Sequence, residues 1–99
     1  MILVTGHVRL APGNVERARP HMRNVLEATR KEFGCILYAY GEDVLDPGLI
    51  RIVERWQDWK SLEAHDKAPH VDAWRAAIKE IGVVDREVTA HAAGEERKL

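Results

Sequence analysis

The chain has 99 residues, of which 45% are hydrophobic and 31% charged, and its formal net charge is −1. This composition is typical of one globular domain, and the near balance of charge disfavours a nucleic-acid partner because no basic surface is available to hold phosphates. The longest apolar runs are too short to span a bilayer, the N-terminus lacks the pattern of a signal peptide, and the lone Cys35 cannot form an internal disulfide. We therefore expect a cytoplasmic protein with no membrane partner.

The first two predicted elements are a strand and a helix. Apolar and polar residues alternate over residues 2–10, which predicts a half-buried strand. A Pro-Gly turn follows, and an apolar stripe at spacings of three and four then predicts a helix over residues 15–33, which Gly34 ends. Pro20 conflicts with a helix interior, so we expect either a kink there or a main helix that begins near it.

Two further strands are predicted over residues 35–41 and 50–56, joined by a short loop as an antiparallel hairpin. Strict alternation in the first of them places Cys35 on the face opposite Tyr38. In the second, one face carries Ile50, Ile52, Glu54 and Trp56.

The last third of the chain predicts two helices and a strand. Asp58 can cap a short helix that runs to about residue 65, and Pro69 breaks it. A second helix ends at Gly82, and alternation over residues 83–91 predicts the fourth strand. The order is β-α-β-β-α-β, an α+β, ferredoxin-like arrangement with helices on one face of a four-stranded antiparallel sheet.

We expect a single domain over residues 1–91 and a small, charged tail over residues 92–99. Both faces of the first two strands carry apolar residues, so the face without helices also needs a cover. A second copy of the same sheet is the simplest cover, which predicts a homodimer formed through the sheet face.

These features together resemble a known family. They are a Pro-Gly turn after strand one, a helix that ends at Phe33-Gly34-Cys35, Tyr38 in strand two, Glu54-Arg55-Trp56 at the end of strand three, and a helix with Leu62 and His65 followed by His70. The chain is similar in this respect to the antibiotic biosynthesis monooxygenase-like family, the dimeric α/β barrels that include quinol monooxygenases. The resemblance covers residues 2–91.

The resemblance implies an oxidoreductase, a cofactor-independent monooxygenase that oxidises a quinol-like or polyphenolic aromatic small molecule with O2 and uses neither metal nor flavin. Such chemistry needs a general base, an apolar pocket that excludes water, and donors that stabilise an oxyanion. Two alternatives remain: a non-catalytic dimeric barrel that binds a small ligand, and a haem-binding or haem-degrading relative. The haem-degrading relatives have an asparagine in strand one, and here the only asparagines, Asn14 and Asn24, lie outside it.

His65 and Glu54 are the candidate catalytic residues. Histidine is the natural base near neutral pH, and His65 matches the family's recurrent histidine. Its alternative role is that of a partly buried side chain bonded to a carbonyl. Glu54 stands on a mostly apolar strand face, so its carboxyl should be paired or have a perturbed pKa. The partner could be His65 or an arginine such as Arg51 across a dimer contact, and a structural ion pair is the alternative to a catalytic role.

The candidate substrate-binding residues are Tyr38, Trp56, Trp59, His70 and Trp74. Packing in the core is the leading interpretation for each tryptophan, and Tyr38 could instead pack on the dimer face. His70 could simply complete a turn after Pro69. No metal site is predicted, because His65 and His70 are five residues apart with a proline between them and the chain has neither a cysteine pair nor an HExxH motif.

Overall fold

The computed structural model describes all of residues 1–99. Its elements are β1 (Ile2–Arg9), α1 (Val15–Thr29), β2 (Cys35–Glu42), β3 (Leu49–Trp56), α2 (Trp59–Asp66), α3 (Pro69–Ile81) and β4 (Asp85–Ala92), with a 3-10 turn at Pro12–Asn14 before α1. The four strands form one sheet in the order β2-β3-β1-β4, and every neighbouring pair is antiparallel. The predicted ferredoxin-like fold is confirmed. No helix is both long and apolar enough to cross a membrane.

The strand register places one face of the sheet against the helices. Val8 lies opposite Ile50, and Ile2 lies opposite Trp56, so that large apolar side chains of β1 and β3 meet on the inner face. One buried cluster joins this face to α1 and α3, and a smaller cluster surrounds Trp56. The alternation predicted for β3 is confirmed, since all four residues of its predicted apolar face are buried.

A β-bulge in β2 changes the predicted side-chain alternation. Cys35 pairs with Trp56 and Leu37 pairs with Arg55, which leaves Ile36 as an extra, exposed residue. Cys35 therefore lies on the same face as Tyr38, and the prediction that it faces the other way was wrong. An extra residue in one strand shifts the phase of all side chains before it, and the sequence shows no sign of it.

Helix α1 ends at Thr29, four residues before the predicted end. Residues 30–34 form successive turns, and Gly34 adopts a φ of 81°, which favours glycine. A β-carbon at Gly34 would lie 2.1 Å from the Ser61 hydroxyl, so this connection packs tightly against α2. α1 runs through Pro20, whose nitrogen has no hydrogen to donate to the preceding turn.

The predicted cap of α2 is confirmed. The Asp58 carboxylate accepts a hydrogen bond from the Ser61 amide at 2.8 Å, which satisfies one free N–H at the helix start. α2 is only eight residues long, and it ends where the chain turns into α3 at Pro69. The short helix and the turn together bring His65 and His70 back over the end of the sheet.

Candidate functional site

A cavity of about 590 Å³ lies between the inner face of the sheet and helices α2 and α3. This volume is within the range of small-molecule sites. Its apolar wall includes Val4, Ile52, Leu62, Val71, Trp74 and Val88. The polar groups that also line it include the hydroxyls of Tyr38 and Tyr40, the carboxyl of Glu54, the imidazole of His65 and the guanidinium of Arg86. The other polar residues of the lining are Glu63, Asp66, Lys67, Arg75 and Thr89. An apolar pocket with a few convergent polar groups is the usual form of a binding or active site.

His65 forms part of the cavity wall and has only 7% of its surface exposed. Its ring lies 4.7 Å from the Trp56 ring and 5.2 Å from the Tyr38 ring, measured between centroids. A carboxylate can only accept, so Nδ1–H of His65 donates to Oε2 of Glu32, at 2.7 Å. Nε2 makes no hydrogen bond and is therefore the nitrogen that can accept a proton.

Glu32, the partner of His65, was not among the residues that the sequence singled out. It lies in the turns between α1 and β2, 33 positions before the histidine. We expected Glu54 as one candidate partner of His65, and this expectation was wrong. No local pattern marks Glu32, because only the packing of its connection against α2 brings the two side chains together.

Glu54 is buried, with 7% of its surface exposed, and Oε1 accepts a hydrogen bond from Nε1–H of Trp56 at 2.8 Å. The two residues are two positions apart on β3, so they share the inner face. Burial raises the pKa of the Glu54 carboxyl, and the indole hydrogen bond partly opposes this rise. Within the chain, Arg51 pairs with Asp43 at 3.2 Å.

The hydroxyls of Tyr38 and Tyr40 are 2.6 Å apart, so one donates to the other. Burial raises the pKa of Tyr38 above its ordinary value and raises the pKa of Tyr40 to about 12. Both phenols thus remain protonated near neutral pH. A pair with one shared hydrogen bond leaves one O–H free, which makes the two tyrosines donors to a ligand and not bases.

The structure separates the three tryptophans and His70 into different environments. Trp74 and the half-exposed Trp59 line the cavity, whereas Trp56 has no exposed surface and packs beneath His65. Trp56 therefore has the core role that was the leading interpretation for it, and it cannot stack on a ligand. His70 lies outside the cavity lining, with Nε2 3.2 Å from Oε1 of Glu32.

Arg86 is a cavity residue that the sequence analysis did not select. It lies on β4 and lines the same cavity as Glu54 and Tyr40, and its positive charge partly opposes the rise in the pKa of both groups. It forms no ion pair with any carboxylate. The sequence pattern does predict that Arg86 faces the helices, because alternation puts it on the same strand face as Val88 and Ala90.

Comparison with known proteins gives both a family and individual relatives. The family model described as antibiotic biosynthesis monooxygenase matches residues 1–77. The chain is 29% identical over 89 residues to the protein named "Probable quinol monooxygenase YgiN" of Escherichia coli K12, an alignment that covers 80% of this chain and 86% of that protein. It is 28% identical over 69 residues to the uncharacterized protein sll1783 of Synechocystis, and here the alignment spans only about half of the relative, 47% of its length.

Solved structures show the same fold over the whole chain. A Deinococcus radiodurans protein assigned to the antibiotic biosynthesis monooxygenases superposes with a TM-score of 0.93 at 30% identity, covering 100% of this chain and 98% of that one. Rv0793 of Mycobacterium tuberculosis superposes with a TM-score of 0.86 at 26% identity, covering 98% of each chain. The family model and these structures agree with the fold: this chain belongs to the antibiotic biosynthesis monooxygenase family.

Proposed function

We propose that this protein is a cofactor-independent monooxygenase that oxidises a quinol-like or polyphenolic aromatic small molecule with O2. The observation that carries the proposal is a histidine in the wall of an apolar cavity, with Nδ1 held by a carboxylate and Nε2 without a partner. This is the arrangement of a general base whose ring is oriented by a second residue. The kinship with a protein named as a quinol monooxygenase suggests the substrate class.

In the proposed reaction, Nε2 of His65 takes a proton from a phenolic hydroxyl of the substrate. The resulting anion passes one electron to O2, and the two radicals combine as a hydroperoxide on a ring carbon. The O–O bond then breaks, so that one oxygen atom stays on the ring and the other leaves as water. A quinol plus O2 gives a hydroxyquinone plus water, and all four electrons come from the substrate, so that no external reductant is needed.

The other polar groups of the cavity suit the charges that this reaction develops. Arg86 and the free O–H of the Tyr38–Tyr40 pair can stabilise the substrate anion and the reduced oxygen. The raised pKa of Glu54 favours its protonated form, which can supply a proton to the departing oxygen. Trp59 and Trp74 provide flat apolar walls for an aromatic ring.

The test is oxygen consumption by metal-free protein with a panel of quinols and polyphenols. We expect His65→Ala to lose at least about 100-fold in kcat/KM, the lower end of general-base contributions. His21→Ala, an exposed histidine on α1, is the matched control and should keep the wild-type rate. If no substrate of the panel is oxidised faster by the wild type than by His65→Ala, the enzyme proposal fails. Binding without turnover would then favour the non-catalytic ligand-binding alternative.

We also propose that two copies pair through the sheet face that carries no helices and that the dimer works in the cytoplasm. Leu37 is 37% exposed on this face, and Leu3, Ala39 and Val53 are half-buried beside it. Light scattering should give a dimer for the wild type and a monomer for Val53→Asp. The matched control is Val44→Asp, at a loop position that is already 96% exposed. A monomeric wild type would contradict the proposal.

A further inference from the structure

Three side chains that could bind a metal ion meet at the edge of the candidate site. Glu32, His65 and His70 each offer one ligand atom, and these atoms all lie within 4.8 Å of one another. The carboxylate is 2.7 Å from Nδ1 of His65 and 3.2 Å from Nε2 of His70. Ligand atoms bound to one ion at about 2.0–2.2 Å are roughly 3–3.5 Å apart, so a small relaxation would suffice to enclose an ion.

His70 supplies a second, independent observation. Its Nε2 atom is buried and makes no hydrogen bond, because Glu32 is near enough but is not oriented to form one. A buried ring nitrogen without a partner costs free energy and calls for an explanation. An ion bound between the three side chains would satisfy Nε2 and would also neutralise the carboxylate charge.

The cluster also has the surroundings of a metal site. Its three residues come from three different segments: the turns after α1, the last turn of α2 and the first turn of α3. A cavity of about 470 Å³, lined by Glu32 and His65 and separate in its other residues from the substrate cavity, adjoins the cluster. It provides a path of entry and room for water as a further ligand.

We propose that Glu32, His65 and His70 bind one divalent transition-metal ion, with Zn²⁺ as the best probe. Two imidazoles and one carboxylate are a known ligand set for zinc with an open fourth position, and also for Fe²⁺ in non-haem sites. The ion would replace the hydrogen bond between Glu32 and His65, because Nδ1 cannot hold a proton and a metal together. The site does not depend on the proposed oxygenase activity.

The test is Zn²⁺ binding by the full chain after treatment with EDTA, measured by competition with a chromophoric chelator. We expect one equivalent per chain. Loss of a ligand's second-shell partner typically costs 10–100-fold in affinity, so His70→Ala and Glu32→Gln should each weaken binding by more than about 100-fold. His21→Ala and His91→Ala, at exposed positions, should bind as the wild type does.

Co²⁺ gives a readout that does not depend on the chelator. A bound, low-symmetry Co²⁺ ion has visible absorption bands, which should appear at one equivalent in the wild type and be absent in His70→Ala. His70 is only half-buried, so this variant should retain the fold, and circular dichroism would verify that. Wild-type affinity equal to that of His70→Ala, or binding that is lost in His21→Ala, would overturn the proposal.

Discussion

The contact between Trp56 and Glu54 allows a quantitative test of the smaller buried cluster. Trp56→Phe removes the indole N–H that donates to the Glu54 carboxyl at 2.8 Å, and it leaves that carboxyl without its partner in a buried site. Leaving a buried acceptor without its hydrogen-bond partner costs about 1–3 kcal/mol. Trp56 has no exposed surface, so the smaller ring also leaves a cavity that costs about 1–2 kcal/mol. We expect a total loss of about 2–5 kcal/mol.

The assay is urea denaturation followed by circular dichroism at pH 7, since the substitution itself removes a fluorophore. All variants are compared at one protein concentration, because a dimer would make stability depend on concentration. A double-mutant cycle combines Trp56→Phe with Glu54→Met, because methionine has a volume similar to that of glutamate and cannot replace its carboxyl as an acceptor. In that background Trp56→Phe should cost only the cavity contribution, about 1–2 kcal/mol. If its cost is the same in both backgrounds, the hydrogen bond does not carry the stability that we assign to it.

Three further predictions follow from the same structure. Because the folded pKa of Glu54 is raised above its ordinary 4.5, the native state holds the proton more tightly than the unfolded chain does. The free energy of unfolding should therefore fall as pH rises from about 4.5 to the folded pKa and then level off. Urea titrations between pH 4 and 8 should show this fall in the wild type and not in Glu54→Gln. Gly6→Ala should cost at least about 3 kcal/mol, because its β-carbon would lie 2.1 Å from the backbone oxygen of Glu87, whereas Gly41→Ala, with open space around it, should leave the melting temperature nearly unchanged. If both proposals hold, one equivalent of Zn²⁺ should suppress oxygen consumption by the wild type, since a metal on Nδ1 of His65 leaves Nε2 protonated. Oxygen consumption by His70→Ala should be insensitive to Zn²⁺. Equal inhibition of the wild type and His70→Ala would contradict the shared site.

His65 would link the two proposed sites. Its Nδ1 side meets Glu32 and the metal cluster, and its ring also lines the substrate cavity. A proton on Nδ1 leaves Nε2 able to accept a substrate proton, whereas a metal on Nδ1 does not. Metal binding and catalysis would therefore exclude each other through a single imidazole, so His70→Ala separates the two better than any change of His65 itself.

Much of the fold was predictable because local patterns determine it. Alternation of apolar residues placed Glu54 and Trp56 on one face of β3, and that face is buried. The Asp58 cap, the break at Pro69 and the β-α-β-β-α-β order were likewise correct, since capping, proline geometry and periodicity act within a few residues. The same alternation contained the position of Arg86, although its role in the cavity was not drawn from it.

Only the tertiary structure decided which polar groups meet. The bulge at Ile36 turned Cys35 to the inner face, and the early end of α1 placed Glu32 under α2. Glu32 thereby became the partner of His65, and Trp56, buried and no longer a candidate ligand platform, became the partner of Glu54. The Glu32–His65 pairing joins residues of separate segments through packing, which no local pattern encodes, whereas Glu54 and Trp56 are neighbours on one face of β3. The sequence by itself determined the elements, their order and their buried faces; the packing of the turns after α1 against α2 determined the chemistry available at His65.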